Sequence, residues 1–245
     1  MIKKLMLILL LQISFASCVC AQKVIDWRAT RDSVAKHADK FLEVEGVKLR
    51  PGMTMKRALE IFDAIGWKPD PFYDVEEDDL QLHILYGTSL GIKNCAMFIA
   101  PTDKDRNIVG IIGITYIESN SFKKLKETYD KVKKSLSEKN YALSSREYFK
   151  DKETENSKSN KKKLQALAQD EAVFETTFTA SDNPDYNVLG YASLFIERYK
   201  DKTGSFNSVS VIYSTSDLYL EVVVDNPEFM FPRLIRLIYK NTKQR

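Results

Sequence analysis

The chain has 245 residues, 44% of them hydrophobic and 11% aromatic, and its 37 Lys and Arg against 34 Asp and Glu give a formal charge of +3. That apolar content suits one or two globular domains and excludes a disordered tail. The near-neutral balance excludes nucleic acid as the main partner, because neutralising phosphates needs a strongly basic face.

Residues 1–4 carry two lysines and no acid, residues 5–13 are almost wholly apolar, and small residues follow. This is the order of a secretory signal peptide. The apolar run is far short of the roughly 20 residues that span a bilayer as a helix, so it reads as an export tag. Two processing routes fit. Val19 and Ala21 suit an ordinary cut before Gln22, the preferred route, which discards 1–21 together with Cys18 and Cys20. Alternatively, residues 15–18, Phe-Ala-Ser-Cys, resemble a bacterial lipobox with Cys18 as the point of lipid attachment. The ordinary cut removes Lys3 and Lys4 and no acid, which takes the charge from +3 to +1 and leaves 224 residues. Cys95 is then the single cysteine, so no internal disulfide forms and the core must hold the fold.

Residues 22–39 are mixed and polar, a lead-in with some helix around Val34 and Ala35. Residues 41–49, FLEVEGVKL, alternate as a strand does. After the Pro51-Gly52 turn, Thr54 is a good N-cap, Met55, Ala58, Leu59, Phe62 and Ile65 recur at helical spacing, and Gly66 is a stop signal. Residues 67–79, WKPDPFYDVEEDD, hold two prolines and six acids and read as an exposed loop. The run Glu76, Glu77, Asp78, Asp79 lacks the alternating ligands and the glycine of a calcium loop, and a solvated face is the better reading.

Three strand-like runs follow, LQLHILYGTSLG, NCAMFIAP and NIVGIIGITYIE, separated by turn residues, which predicts an antiparallel meander. Residues 121–139 predict a second helix, with Phe122, Leu125, Tyr129, Val132 and Leu136 on one stripe and lysines on the other face. YALSSREYF reads as another strand. Residues 150–163, KDKETENSKSNKKK, have no apolar residue and predict a polar, mobile linker. A short helix at LQALAQDEAV and four β-rich runs come next, and a C-terminal helix carries Leu234, Leu237 and Ile238 but is interrupted by Pro232.

The expected fold is α+β: antiparallel meander sheet with two main amphipathic helices packed on one face. Residues 22–149 form an α+β domain or first half, and 164–245 form a β-rich second half, separate or within the same domain.

No catalytic residue stands out. Cys95 and His83 fall on adjacent expected strands, but a thiol inside NCAMFIA is most often a small buried side chain. With His37 and His83 the only histidines, a histidine-rich metal site is excluded by count. No nucleophile elbow, phosphate-cradling glycine loop or His-Glu-x-x-His is present, and no cofactor is expected. Trp67, Phe72 and Tyr73 cluster beside the acidic loop as a candidate binding patch, although Trp67 and Phe72 at a helix end are more simply read as plugging it.

The order FLEVEGVKLRPGMTMKRALEIFDAIGW, IVGIIGITYIESNSFKKLKETYDKVKKSLSEKNY, LQALAQDEAVFETTF, ASLFIERY and VSVIYST resembles a group of uncharacterised small exported proteins of Bacteroidota-type bacteria. The lysine-rich stretch 158–163 departs from that pattern. Separately, LRPGMTMKRALEIF is similar to the helix entry of outer-membrane assembly lipoproteins and β-lactamase-inhibitor-like folds, which implies a capped helix docked on a meander and a binding module over an enzyme. The expected function is therefore an exported, periplasmic or extracellular, non-catalytic binding or envelope-associated module. Its partner would be a protein or envelope component, with membrane contact only through a lipidated Cys18. The alternatives are a lipid-anchored assembly factor and a hydrolase using a carboxylate pair.

Overall fold

The computed structural model describes residues 27–71, 82–102, 107–183, 186, 189–201 and 204–214. The export segment with Cys18, the acidic loop with Phe72 and Tyr73, and the expected last strand and C-terminal helix lie outside the described residues.

The chain enters through helix α1 (Trp27–His37) and a small hairpin of β1 (Glu43–Val44) and β2 (Val47–Lys48). The single strand expected over 41–49 is this hairpin instead, because Glu45 (φ 51°) and Gly46 (φ 80°) both take the left-handed conformation that a two-residue turn of type I′ requires. Helix α2 (Met55–Ala64) starts where Thr54 accepts a hydrogen bond from the Arg57 N–H, and it buries Met55, Ala58 and Phe62. Strands β3 (Lys68–Pro69), β4 (His83–Ser89), β5 (Ile92–Pro101) and β6 (Val109–Glu118) follow.

Helix α3 (Phe122–Ser137) repeats the pattern: Ser121 caps it, and the predicted stripe of Phe122, Leu125, Tyr129, Val132 and Leu136 is the buried one. Strand β7 (Tyr141–Phe149) comes next. The polar stretch 150–163 is not the unstructured linker that composition suggests, for it carries helix α4 (Lys152–Asn156) and the start of α5 (Asn160–Ala168). Short polar side chains supply what the missing apolar ones do not. Asp151 accepts from the N–H groups of Glu153 and Thr154, Ser159 accepts from Lys162 N–H, and Asn160 Oδ1 accepts from the Phe122 N–H. Strands β8 (Ala172–Thr179), β9 (Tyr191–Asp201) and β10 (Gly204–Ser214) complete the described chain.

The eight long-sheet strands run in the order β3-β4-β5-β6-β10-β9-β8-β7, and every described pairing is antiparallel. The fold is α+β. Taken as residues 55–118 and 122–214, two halves are each a helix followed in the sheet by four antiparallel strands, and they join where β6 pairs with β10, Ile114 opposite Val211. Sequence and sheet order together make the two halves one sheet.

Alternation places side chains on its two sides. One side faces a large core: Met97, Ile112 and Ile114 belong to it with Phe62 and Trp67 in the first half, and Phe174, Phe178 and Leu194 with Leu125 and Tyr129 in the second. Fully burying each such large side chain is worth roughly 1.5–3 kcal/mol. The other side has a smaller cluster, Leu82, Ile84, Ala96, Phe98, Ala100, Ile111, Phe195 and Ile212. Phe98 packs against Gly113, where a Cβ would lie 2.0 Å from its ring, so that glycine is set by a close approach.

Candidate binding site

The groove that the Trp67 region forms is built by how α2 ends. Gly66 (φ 97°) reverses the chain, its N–H donating to the Asp63 carbonyl, and the Trp67 N–H reaches back to the Phe62 carbonyl at 3.0 Å. This paired geometry brings the residue after the glycine down onto the helix's last apolar turn. Trp67 is consequently 1% exposed, its indole lying over Gly87 on β4, where a Cβ would come within 2.6 Å of the ring. The indole forms the floor of a feature, not a protruding patch.

Above it, between α2 and the β3–β4 edge, lies a concavity of about 260 Å³. Leu59, Pro69, Ile84 and Leu85 supply its apolar walls, and Glu60, Asp63, Asp70 and His83 its polar ones. Asp70 is buried and its N–H donates to the Ile84 carbonyl at 2.9 Å, which holds the strand end against β4. Asp63 pairs with Lys68 at 2.7 Å on the open rim. Burial lowers the His83 pKa, which favours the uncharged imidazole. Glu60 pairs with Arg57 at 3.5 Å, so each carboxylate on the rim has a cation beside it.

The structure separates the two residues that a thiol mechanism would need. Cys95 lies opposite Gly87, and His83 lies four residues further along β4, which at about 3.3 Å per residue is roughly 13 Å away. Cys95 is fully buried, its Sγ is 3.2 Å from the Ile92 carbonyl, and burial foremost pushes its pKa up to about 11. That is a packed thiol, not an activated nucleophile. Among the described residues no group of three or more His, Cys, Asp or Glu is placed to hold a metal ion.

A second concavity, of about 230 Å³, opens beside the β1–β2 hairpin and is lined by Glu43, Glu45, Tyr116, Lys139 and Tyr213. Glu45 accepts a hydrogen bond from Ser89 Oγ at 2.5 Å, Ser89 bonds Tyr116, and Tyr116 bonds Tyr213. Desolvation raises Glu45 and holds both buried tyrosines neutral, and Lys139 pairs with Glu43. These groups satisfy one another, so the network ties the hairpin to the sheet. The strained left-handed Glu45 serves that tie.

Of the sequence-predicted patch, Trp67 is at the groove, and Phe72 and Tyr73 are outside the described residues. Sequence reasoning missed Leu59, Pro69, Ile84 and Leu85. Leu59 was legible as the helix position flanking the buried stripe. The strand residues were not, because the pairing of Pro69 with Leu85 is a matter of register. No protein family, curated protein or solved structure matches the chain.

Proposed function

We propose that the chain is an exported, non-catalytic binding module whose groove over Trp67 takes an apolar side chain of a protein or envelope component. The observation that carries this reading is the groove itself: apolar walls supplied by a helix end and a strand, with ion pairs at the rim. Its volume of about 260 Å³ is just under the roughly 300–1,000 Å³ of small-molecule pockets and accommodates one large side chain as an anchor. Phe72 and Tyr73 follow it directly in sequence and are proposed as further contacts. The reading takes the two main helices to cover one face of the sheet, supported by their apolar stripes sharing the large core. It takes residues 1–21 as the export signal, with Cys18 as the lipid site under the alternative processing.

The test is cross-linking capture from an envelope fraction of the native host with the wild-type chain and with Leu59→Glu, a partly exposed wall position where a carboxylate blocks the groove. A specific partner recovered by wild type and reduced at least tenfold by the variant is expected. Equal recovery by both, or no specific partner, overturns the site. Intact mass of the mature protein should show a Gln22 start or an acylated Cys18; an intact Met1 start overturns export.

A further inference from the structure

The helices of the second half carry a charge that the chain's total conceals. Residues 121–139 and 158–169, which hold α3 and α5, contain eleven lysines, no arginine and three acids, in a chain whose net charge is only +3. Helix α3 lies over β9, β10, β6 and β8, and α5 lies beside it over β9 and β8. Their buried residues, Phe122 to Leu136 and Leu164 to Leu167, belong to the large core under them, so their exposed lysines stand on the outward face of one helical layer.

Five of the eleven face carboxylates: Lys123, Lys126, Lys133, Lys139 and Lys162. Lys163 lies over the Phe122 and Phe149 rings. The other five, Lys124, Lys131, Lys134, Lys158 and Lys161, are exposed, and among the described residues none of them is in an ion pair. Of the three acids, Glu127 and Asp130 are taken by Lys123 and Lys126, which leaves Glu138 at the C-cap of α3. On the neighbouring α4, Asp151 caps the helix and Glu153 faces Lys162, which leaves Glu155. Asn160 ties the two helix starts together, accepting from the Phe122 N–H and donating to the Asn120 carbonyl. That tie gathers Lys124, Lys158 and Lys161 where two helix dipoles present their positive ends.

What the face lacks selects its partner. The large apolar side chains exposed among the described residues are Ile65, Tyr141, Leu143 and Tyr148, and none is on α3 or α5. Protein interfaces draw affinity from aromatic and arginine anchors, and single-stranded nucleic acid is held on aromatic platforms. A face of lysines has neither. The lysine ammonium is a point charge on a flexible stem, without the planar fork that reads one phosphate in fixed geometry, and it suits many laterally free anions. We propose that the outward face of α3 and α5 rests on an anionic phospholipid surface, its lysine ammoniums among the headgroup phosphates and no side chain inserted into the hydrocarbon. Each lysine near such a surface adds to an attraction that decays within a Debye length, so the contact is reversible and salt-sensitive. The face lies over the second half, apart from the groove at β3 and β4, and requires neither that groove nor Cys18.

The test is co-flotation of the full mature chain, which begins at Gln22 and carries no acyl group, with vesicles of phosphatidylcholine alone or mixed equally with phosphatidylglycerol. Binding to the mixed vesicles at low salt should be at least tenfold tighter than to phosphatidylcholine and should fall at least tenfold in half-molar salt. Lys124→Gln/Lys134→Gln/Lys158→Gln/Lys161→Gln should weaken it at least tenfold with an unchanged denaturation midpoint. Lys36→Gln/Lys40→Gln/Lys48→Gln/Lys93→Gln removes the same charge from exposed positions elsewhere and should change it less than threefold. Where the first quadruple variant does not fold, Lys158→Gln/Lys161→Gln takes its place and should weaken binding severalfold. Equal binding to both vesicle types, indifference to salt, equal losses from the two quadruple variants, or no binding would each overturn the proposal. So would tighter binding to heparin or to oligo-dT than to the mixed vesicles.

Discussion

The two halves run through the same course, a capped helix and then four antiparallel strands, yet they fill the space between helix and outer strand in opposite ways. In the first half, α2 lies beside a two-residue edge strand containing Pro69, and the space holds the Trp67 indole and an apolar groove. In the second, α3 lies over the inner strands β8, β9 and β10 and reaches the nine-residue edge strand β7 through side chains that form a polar lattice. There Tyr129 Oη is 2.8 Å from Thr176 Oγ1, Ser145 Oγ is 2.9 Å from the same oxygen, and Lys133 closes onto Glu147. The difference shows how one topology produces an anchor-sized groove at one end and a polar lattice at the other. Proline cannot donate to a ladder, so in the first edge the bond to β4 after Pro69 comes from the Asp70 N–H, which donates to the Ile84 carbonyl. Nothing of that kind stands in YALSSREYF.

The largest effect expected from disturbing this contrast is at Trp67. Trp67→Ala should cost about 4 kcal/mol by chemical denaturation, since it empties a fully buried site whose floor is Gly87 and cannot collapse onto a side chain. A loss under about 1 kcal/mol would mean that the indole is a replaceable lid and that the groove is not built on it.

The halves also differ on the far side of the sheet, where the first offers Ile84, Phe98 and Ile111 and the second sets Glu197 on β9. Burial, and after it the charge of Glu175, raises Glu197 from 4.5 to about 8. A carboxyl raised in the folded state is held protonated there, so folding is opposed once the unfolded chain ionises. The sign follows: stability falls as pH rises from about 4.3 toward 8 and then levels. Glu197→Gln should therefore stabilise by about 2 kcal/mol at pH 8 and by little at pH 4, read from denaturant midpoints at both. A gain that is the same at both pH values would show that amide packing, not ionisation, is responsible.

Much of this architecture was legible in the sequence because local signals and tertiary needs agree. Thr54 with Gly66, and Ser121 with the stripe from Phe122 to Leu136, mark helices whose apolar faces the sheet uses. Two places were not legible. At 41–49, alternation favoured one strand, but Glu45-Gly46 gives a turn that Asn-Gly would have advertised, and the Glu45 carboxylate compensates through Ser89, 44 residues away. At 150–163, composition without apolar residues argued against order, while Asp151, Ser159 and Asn160 supply caps and a cross-link whose partners lie in α3 and its entry. The groove was half legible. Trp67 could be picked out by its type, whereas its neighbours are brought together only by the pairing of β3 with β4.

The smallest effect distinguishes the two fillings most sharply. Tyr129 is buried, with its ring edge-on to Phe174 and its hydroxyl between Thr176 and Glu147. Tyr129→Phe keeps the ring contact and removes only the hydroxyl, leaving Thr176 Oγ1 hydrogen-bonded to Ser145 Oγ. Losing one buried hydrogen bond should cost about 1–1.5 kcal/mol. If the lattice acts as a unit, the cost in a Lys133→Met background should drop by at least about half, because Glu147 has then lost its closest cation, keeping Lys126 at 3.5 Å and Ser145, and the remaining hydroxyls can re-pair. Additive costs in that cycle would mean that the second half is held by its rings, as the first is by Trp67, and that the polar lattice merely lines the space between them.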